Sequence, residues 1–208
     1  MRFQLLVYRM PMNPASARVA VWRSLKKIGA VYPQQSVCVF PANAAVTREL
    51  VPVLRKIQDA GGDFHLLPLA PLPDEEERKL IALFLDQAAK HYGEIIENCE
   101  VNFSREIEFE TFRQNFTYEE AEEIRAEYEK IVSWFNRVRR RDWFDAPNRE
   151  EAERWLARCE ALLEEFEARV YEVQTEEGES AAPVPASGRR NARSRLAPLP
   201  RPGDAARG

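Results

Sequence analysis

The stretch Ser16–Pro41, SARVAVWRSLKKIGAVYPQQSVCVFP, decides the fold of the N-terminal part of this chain. Apolar side chains recur at helical spacing from Ala17 to Ile28, which predicts an amphipathic helix with Ser16 as its N-cap. Gly29 is expected to end this helix, because the residue after a helix usually needs a positive φ. One face of the helix is therefore apolar, and the other is free to carry charge.

The second half of the same stretch predicts β-structure. Apolar and polar residues alternate from Val31 to Phe40, which is the period of a strand. Pro33 and the pair Gln34-Gln35 interrupt this alternation, which favours a bend or bulge and a short hairpin over one straight strand.

The flanking sequence extends this pattern to six elements. A strand is predicted at Phe3–Met10, a second helix runs from its cap Asn43 to about Ala60, and a last strand covers Phe64–Leu69. The order βαββαβ is that of a ferredoxin-like domain, here over residues 1–72, so the expected fold class is α+β.

The remainder predicts helices and then a tail. A helix begins at Asp74, residues 98–116 are ambiguous, and Thr117 with Glu120 forms a capping box for a long helix. Asn148 with Glu151 is expected to cap a last helix, which pairs with the previous one as an antiparallel hairpin in a helical region over residues 73–175. Residues 176–208, rich in Pro, Arg and Ala, predict a disordered tail.

Composition limits the class of protein. The chain has 208 residues, of which 45% are hydrophobic, as expected for a folded globule. No apolar run approaches the roughly 20 residues needed to span a bilayer, so a cytoplasmic protein without a membrane partner is expected. The three cysteines are isolated and have no CxxC spacing, which favours buried thiols over a disulfide or zinc site.

Charge is distributed unevenly along the chain. Residues 1–62 carry nine Lys and Arg against two acidic side chains, although the whole chain has a net charge of −4. A basic N-terminal part within an acidic protein indicates a surface for a polyanion.

Two groups of residues are the candidates for such a surface. The first is the polar face of the Ser16 helix, where four phosphate contacts would give a salt-dependence slope of about −3.6 on duplex DNA. The second follows the long helix and adjoins Trp143 and Phe144, which are interpreted as an anchor for the turn. For both groups, the alternative is a solvated helix face or helix end, with local ion pairs in the second group. The candidate residues are Arg18, Trp22, Arg23, Lys26 and Lys27 in the first group, and Arg137, Arg139, Arg140 and Arg141 in the second.

Several of these segments resemble the N-terminal region of the ChrB family of chromate-resistance regulators. The resembling motifs are VYRMP, VWRSLKKIGAVYPQQSVCVFP and RRRDWFDAPNREEAERWLARCEALLEEF, and the resemblance covers about residues 3–173. Full-length members of the family continue into a second domain associated with the chromate response, where this sequence has its Pro/Arg/Ala tail. The resemblance implies a transcription regulator that binds promoter DNA.

The N-terminal domain is also similar to the small CRISPR-associated nucleases and to the corresponding domain of PaaX-type repressors. In the nuclease pattern the first strand ends in a carboxylate that holds a metal, but the matching residue here is Arg9. Arginine cannot bind Mg²⁺, whose ligands are oxygen atoms. A nuclease is therefore disfavoured, and no catalytic, metal or cofactor site is expected.

The sequence thus predicts a homodimeric, DNA-binding regulator linked to chromate, with an oxyanion as its effector. The alternative is a non-catalytic interaction module in which the helical hairpin pairs with another chain and the basic face is only solvated.

Overall fold

The computed structural model describes residues 2–13 and 15–180, with side chains described as far as Glu176. Its first part consists of β1 (Phe3–Arg9), α1 (Ala15–Ile28), β2 (Val31–Gln34), β3 (Val37–Pro41), α2 (Ala44–Asp59) and β4 (Asp63–Pro68). The four strands form one antiparallel sheet in the order β2-β3-β1-β4. The predicted α+β class is confirmed.

The ends of the first two helices test three predictions. Gly29 follows α1 with φ +97°, as expected, and the side chain of Asn43 caps α2 by accepting from the backbone N–H of Val46 at 2.9 Å. The prediction for Ser16 is wrong, because α1 already begins at Ala15 and Ser16 lies within its first turn.

The break in the predicted central strand is a hairpin. Strands β2 and β3 are joined through Gln35 and Ser36, and Ser36 adopts a left-handed conformation with φ +64°. The pairing of the two strands is irregular between Val31 and Gln34, which is the expected bulge.

Each face of the sheet packs against a different set of helices. On one face, buried side chains such as Leu6 and Phe40 contact α1 and α2 through Leu25 and Leu50. On the other face, Phe3, Val31 and Val39 pack against Phe84. Since alternate strand residues point to opposite faces, both faces of this small sheet are apolar.

Residue Phe84 belongs to the first helix of the helical region, α3 (Asp74–Glu97). A π-helical segment, Asn98–Phe103, and then α4 (Ser104–Arg113) continue from it, so the ambiguous residues are largely helical. The hydroxyl of Ser104, the first residue of α4, donates at 2.8 Å to the carbonyl of Cys99 in the π-helical segment.

The predicted hairpin is formed by α5 (Tyr118–Arg139) and α6 (Arg149–Ser180). Thr117 caps α5 by accepting from the backbone N–H of Glu120 at 3.2 Å. Buried side chains of both helices, together with α3 and α4, form a second core; they include Ile131, Phe135, Cys159, Leu163 and Phe166.

The predicted cap at Asn148 is wrong. Its Nδ2 donates to the carbonyl of Ala89 at 2.8 Å, and its Oδ1 has no hydrogen-bond partner within the described residues. The side chain therefore fastens the α5–α6 turn to α3 instead of capping α6.

Helix α6 continues past Glu176, where the tail was predicted to begin, to Ser180; residues 181–208 of that tail lie outside the described residues. Cys38, Cys99 and Cys159 are buried free thiols, as predicted. Within the described part of the chain, no helix is long and apolar enough to cross a membrane.

Candidate functional site

The two predicted groups of basic residues meet in one place. A groove of about 860 Å³ lies between α1, α3 and the end of α5. Its lining contains two carboxylates, Asp86 and Glu94, and six basic side chains. We call it the basic groove, and its six cations are Arg23, Lys26, Lys27, Lys90, Arg137 and Arg141.

A hydrogen bond joins two residues that line the groove. The Arg141 guanidinium donates to the backbone carbonyl of Lys26 at 3.3 Å. The backbone of Gly29 lies so close that an added Cβ would be 3.0 Å from the Cβ of Arg141. The end of α5 can approach α1 this closely because residue 29 has no side chain.

The ammonium of Lys26 is held in position by two neighbours. Its Nζ donates to Oε1 of Gln87 at 2.7 Å and lies 5.0 Å from the centre of the Tyr32 ring. Burial, and then the nearby charge of Arg141, lower the pKa of Lys26. Burial, and then the charge of Arg137, likewise lower the pKa of Arg141. The cations therefore repel one another, and a bound anion would relieve this repulsion.

The six cations form no direct ion pair with a carboxylate in the described part of the chain. Among the described residues, none of the six has an ion pair within 4.0 Å. Glu94 instead contacts Nδ1 of His91 at 3.3 Å. The local ion pairs that were the alternative for Arg137–Arg141 are thus not found within the described part of the chain.

His91 lies at the edge of the groove and responds to its charge. Burial lowers the pKa of His91, and the charges of Arg141 and Lys26 act in the same direction, while Glu94 opposes them. A histidine so placed reports the local potential, because any bound anion would favour its protonated form.

Of the remaining predicted site residues, only Trp22 lines the basic groove, with 48% of its surface exposed. Arg18 lines an adjoining cavity along α1. Arg139 lies over the ring of Phe135, 5.9 Å from its centre, and Arg140 lines a shallow cavity on α5. Of the second predicted group, the structure brings only Arg137 and Arg141 to α1.

Trp143 and Phe144 act as the predicted anchor. The ring of Phe144 lies 6.2 Å from that of Phe3 and 5.4 Å from that of Phe84. The buried Nε1 of Trp143 would lie 3.4 Å from a Cβ at Gly29 and has no hydrogen-bond partner among the residues that the structure describes. Both side chains hold the α5–α6 turn against the sheet.

Sequence reasoning missed the contribution of α3. Gln87, Lys90 and His91 line the groove, on a face of α3 that flanks its buried residues Phe84 and Ala88. Their spacing of three and four residues is typical of one polar helix face. Because glutamates are abundant at the same spacing throughout the helical region, nothing in the sequence distinguished these three residues.

Comparison with curated proteins finds no match, and comparison with solved structures finds none either. A family model described as "Protein ChrB, N-terminal" matches residues 18–177, which include the helices that form the groove. The resemblance noted in the sequence is confirmed over most of its length, and the chain belongs to the ChrB N-terminal family.

Proposed function

We propose that this protein is a non-catalytic transcription regulator that binds duplex DNA through the basic groove and acts in chromate resistance. The observation that carries the proposal is the convergence of six basic side chains without ion-pair partners among the described residues. Such a surface fits a phosphate backbone, which supplies most of the affinity of proteins for DNA. Because a transcription regulator acts on DNA, it must share a compartment with the DNA. We expect the protein to be cytoplasmic.

In our proposal, the domain over residues 1–72 supplies one side of the DNA-binding surface and the helical region supplies the other. We interpret its βαββαβ order and antiparallel sheet as a ferredoxin-like domain. Four of the groove cations are exposed and can reach phosphates without rearrangement of the core: Arg23, Lys27, Lys90 and Arg137.

An oxyanion effector forms part of the proposal because of the family's link to chromate. Guanidinium groups bind oxyanions through paired N–H bonds, and Arg23 and Arg137 both face the groove. Chromate would then compete with DNA phosphates for the same cations. The test is displacement of bound DNA by chromate, with sulfate at equal concentration as the control for general salt effects.

The DNA-binding proposal is tested with the full chain and a duplex from its own promoter. Four phosphate contacts predict a slope of about −3.6 and roughly a 100-fold loss of affinity between about 50 and 200 mM salt. The double variant Arg23→Glu with Lys27→Glu should abolish binding. The matched control is Arg48→Glu with Arg55→Glu, two exposed cations of α2 that do not line the groove. No binding at about 50 mM salt, or equal losses in both double variants, contradicts the proposal.

A specific observation also favours self-association through the helical region. Phe112 of α4 is 86% exposed beside a cavity of about 690 Å³ between α4 and α6. Glu108, Glu165 and Arg169 line the same cavity. Because a two-fold interface places each residue against the partner's surface, a patch with an exposed ring, an apolar cavity and both charge signs suits a homodimer. We propose that a second copy of this chain covers it.

A further inference from the structure

A second cavity adjoins the basic groove along α1, and the two share Trp22 and Lys26. It has a volume of about 750 Å³ and is enclosed by the start of α1, the end of β1 and the β2–β3 turn. Its chemistry comes from three aromatic side chains, Tyr8, Trp22 and Tyr32, and three cations, Arg9, Arg18 and Lys26. We call it the tyrosine cavity.

The tyrosine cavity has a positive lining without negative side chains. None of its described lining residues is a carboxylate. The side chains of Arg9 and Arg18 are exposed and, within the described residues, have no ion pair or hydrogen bond. Arg9 stands at the end of β1, where the nuclease pattern would have a metal ligand. Its cross-strand neighbour Asp63 does not line the cavity, so the charge of the lining favours an anion over a cation.

The aromatic side chains give the cavity a flat, partly apolar wall. The hydroxyl groups of Tyr8 and Tyr32 lie 3.5 Å apart, at hydrogen-bond distance. Burial raises the pKa of both tyrosines, so both hydroxyls keep their protons at neutral pH; one donates to the other, and the second can donate to an acceptor. The half-exposed ring of Trp22 and the side chain of Val19 complete the wall.

This combination differs from a surface that contacts only a phosphate backbone. Such a surface needs only exposed cations, whereas the half-buried tyrosines and the open indole ring of this cavity also match a planar apolar group. The volume also falls in the usual range of small-molecule sites, about 300–1,000 Å³.

We propose that the tyrosine cavity binds a small organic anion that carries an aromatic ring. The ring packs against Trp22 and the tyrosines, and the carboxylate or phosphate group of the ligand contacts Arg9 and Arg18. Trp22 and Lys26 line the basic groove as well. Occupancy is therefore expected to weaken DNA binding, and this consequence, unlike the site itself, rests on the proposed function.

The site is tested without DNA by calorimetry and tryptophan fluorescence of the full chain. The probes are phenyl phosphate, inorganic phosphate and benzyl alcohol, which separate the ring from the charge. Phenyl phosphate should bind at least tenfold more tightly than either of the others and should quench the fluorescence. Trp22→Phe should remove the quenching while calorimetry still detects binding. Equal affinity for inorganic phosphate, or no binding of phenyl phosphate at millimolar concentration, overturns the proposal.

Two double variants locate the probe. Arg9→Gln with Arg18→Gln should weaken phenyl phosphate binding at least tenfold, and circular dichroism checks that these exposed changes leave the fold intact. Arg48→Gln with Arg55→Gln on α2 should leave it unchanged. Equal loss in both variants overturns the assignment. If phenyl phosphate binds as expected but the protein binds no DNA, the proposed function fails and the site stands.

Discussion

The guanidinium of Arg141 donates to the backbone carbonyl of Lys26 at 3.3 Å, joining the segment after α5 to the last turn of α1. The same carbonyl accepts from the backbone N–H of Gly29 at 3.0 Å, and a cation at this end of a helix is favoured by the helix dipole. A residue predicted from sequence to contact an anion therefore also has a structural role, which is to fix the two walls of the basic groove relative to each other.

Arg141→Gln should reduce the free energy of unfolding by about 1.5–3 kcal/mol, the usual effect of losing a hydrogen bond from a charged group. Urea denaturation measures the loss. Arg140→Gln is the matched control, because Arg140 is exposed and should change stability by less than about 0.5 kcal/mol. Equal effects of the two changes would show that the Arg141 contact does not stabilise the protein.

Gly29→Ala should be more destabilising than Gly61→Ala. Both glycines have positive φ, +97° and +73°, so both substitutions carry a backbone cost of about 1–2 kcal/mol. Only at Gly29 would the new methyl group approach Arg141 to 3.0 Å, whereas at Gly61 the nearest atom is 3.7 Å away. The difference in unfolding free energy between the two variants should be about 1 kcal/mol or more. A difference near zero would mean that the helix end can move without cost.

Phe84→Ala should cost about 3–4 kcal/mol of stability, because Phe84 is 4% exposed and packs against both Phe3 and Phe144. The same change at Phe112, which is 86% exposed, should change the stability of the monomer by less than about 0.5 kcal/mol. Denaturation at low protein concentration compares them. Similar values would contradict the packing of the α5–α6 turn and α3 on the sheet.

The stability of the protein should fall as the pH drops below about 6.5, the usual pKa of an unfolded histidine. The pKa of His91 is lowered in the folded state by burial, Arg141 and Lys26, against the opposing effect of Glu94. The unfolded chain therefore binds more protons in this range, and acid favours unfolding. His91→Gln should flatten the dependence in urea titrations at about pH 7.5 and about pH 5.5.

The same residue offers an independent readout by NMR. The chain has two histidines, so a His65→Gln variant identifies the His91 signal. A midpoint for His91 above about 6.5 would contradict the predicted pH dependence. In our proposal, bound DNA moves the midpoint upward, because phosphate charge offsets the repulsion from Arg141.

Phe112→Glu should convert a dimer into a monomer, because a carboxylate cannot be buried without a partner in an apolar interface. Light scattering coupled to size-exclusion chromatography measures the mass of the wild type and of the variant. Val51→Glu, on the half-exposed surface of α2, is the control and should leave the mass unchanged. A monomeric wild type at high concentration would exclude the proposed self-association.

Local sequence signals predicted the elements of the fold well. The caps at Asn43 and Thr117 and the end of α1 at Gly29 depend on one or two neighbouring residues, and the structure confirms them. Asn148 has the residue type of a cap but is used for a contact with Ala89, which is distant in sequence. No local pattern could distinguish these two uses of the same side chain.

The candidate site was predictable only in part, because it is assembled by tertiary packing. The sequence identified both basic groups but could not show that Arg141 reaches α1 while Arg139 turns toward Phe135. It also gave no sign that the polar face of α3 completes the groove, since Lys90 lies among many other charged residues. Which helix faces meet depends on the packing of the α5–α6 turn, and this packing is a property of the whole chain.

Because residue 29 has no side chain, α1 packs directly against the segment that follows α5, and this packing has a consequence for fragments and recombinants of the gene. The lining of the basic groove comes from the first third of the chain, from α3 and from a segment more than a hundred positions after α1, so no single segment carries all of it. A gene fragment encoding only one of these segments would supply only part of the groove. Recombination between related genes within this interval would combine the α1 side of the groove from one protein with the α5 side from another.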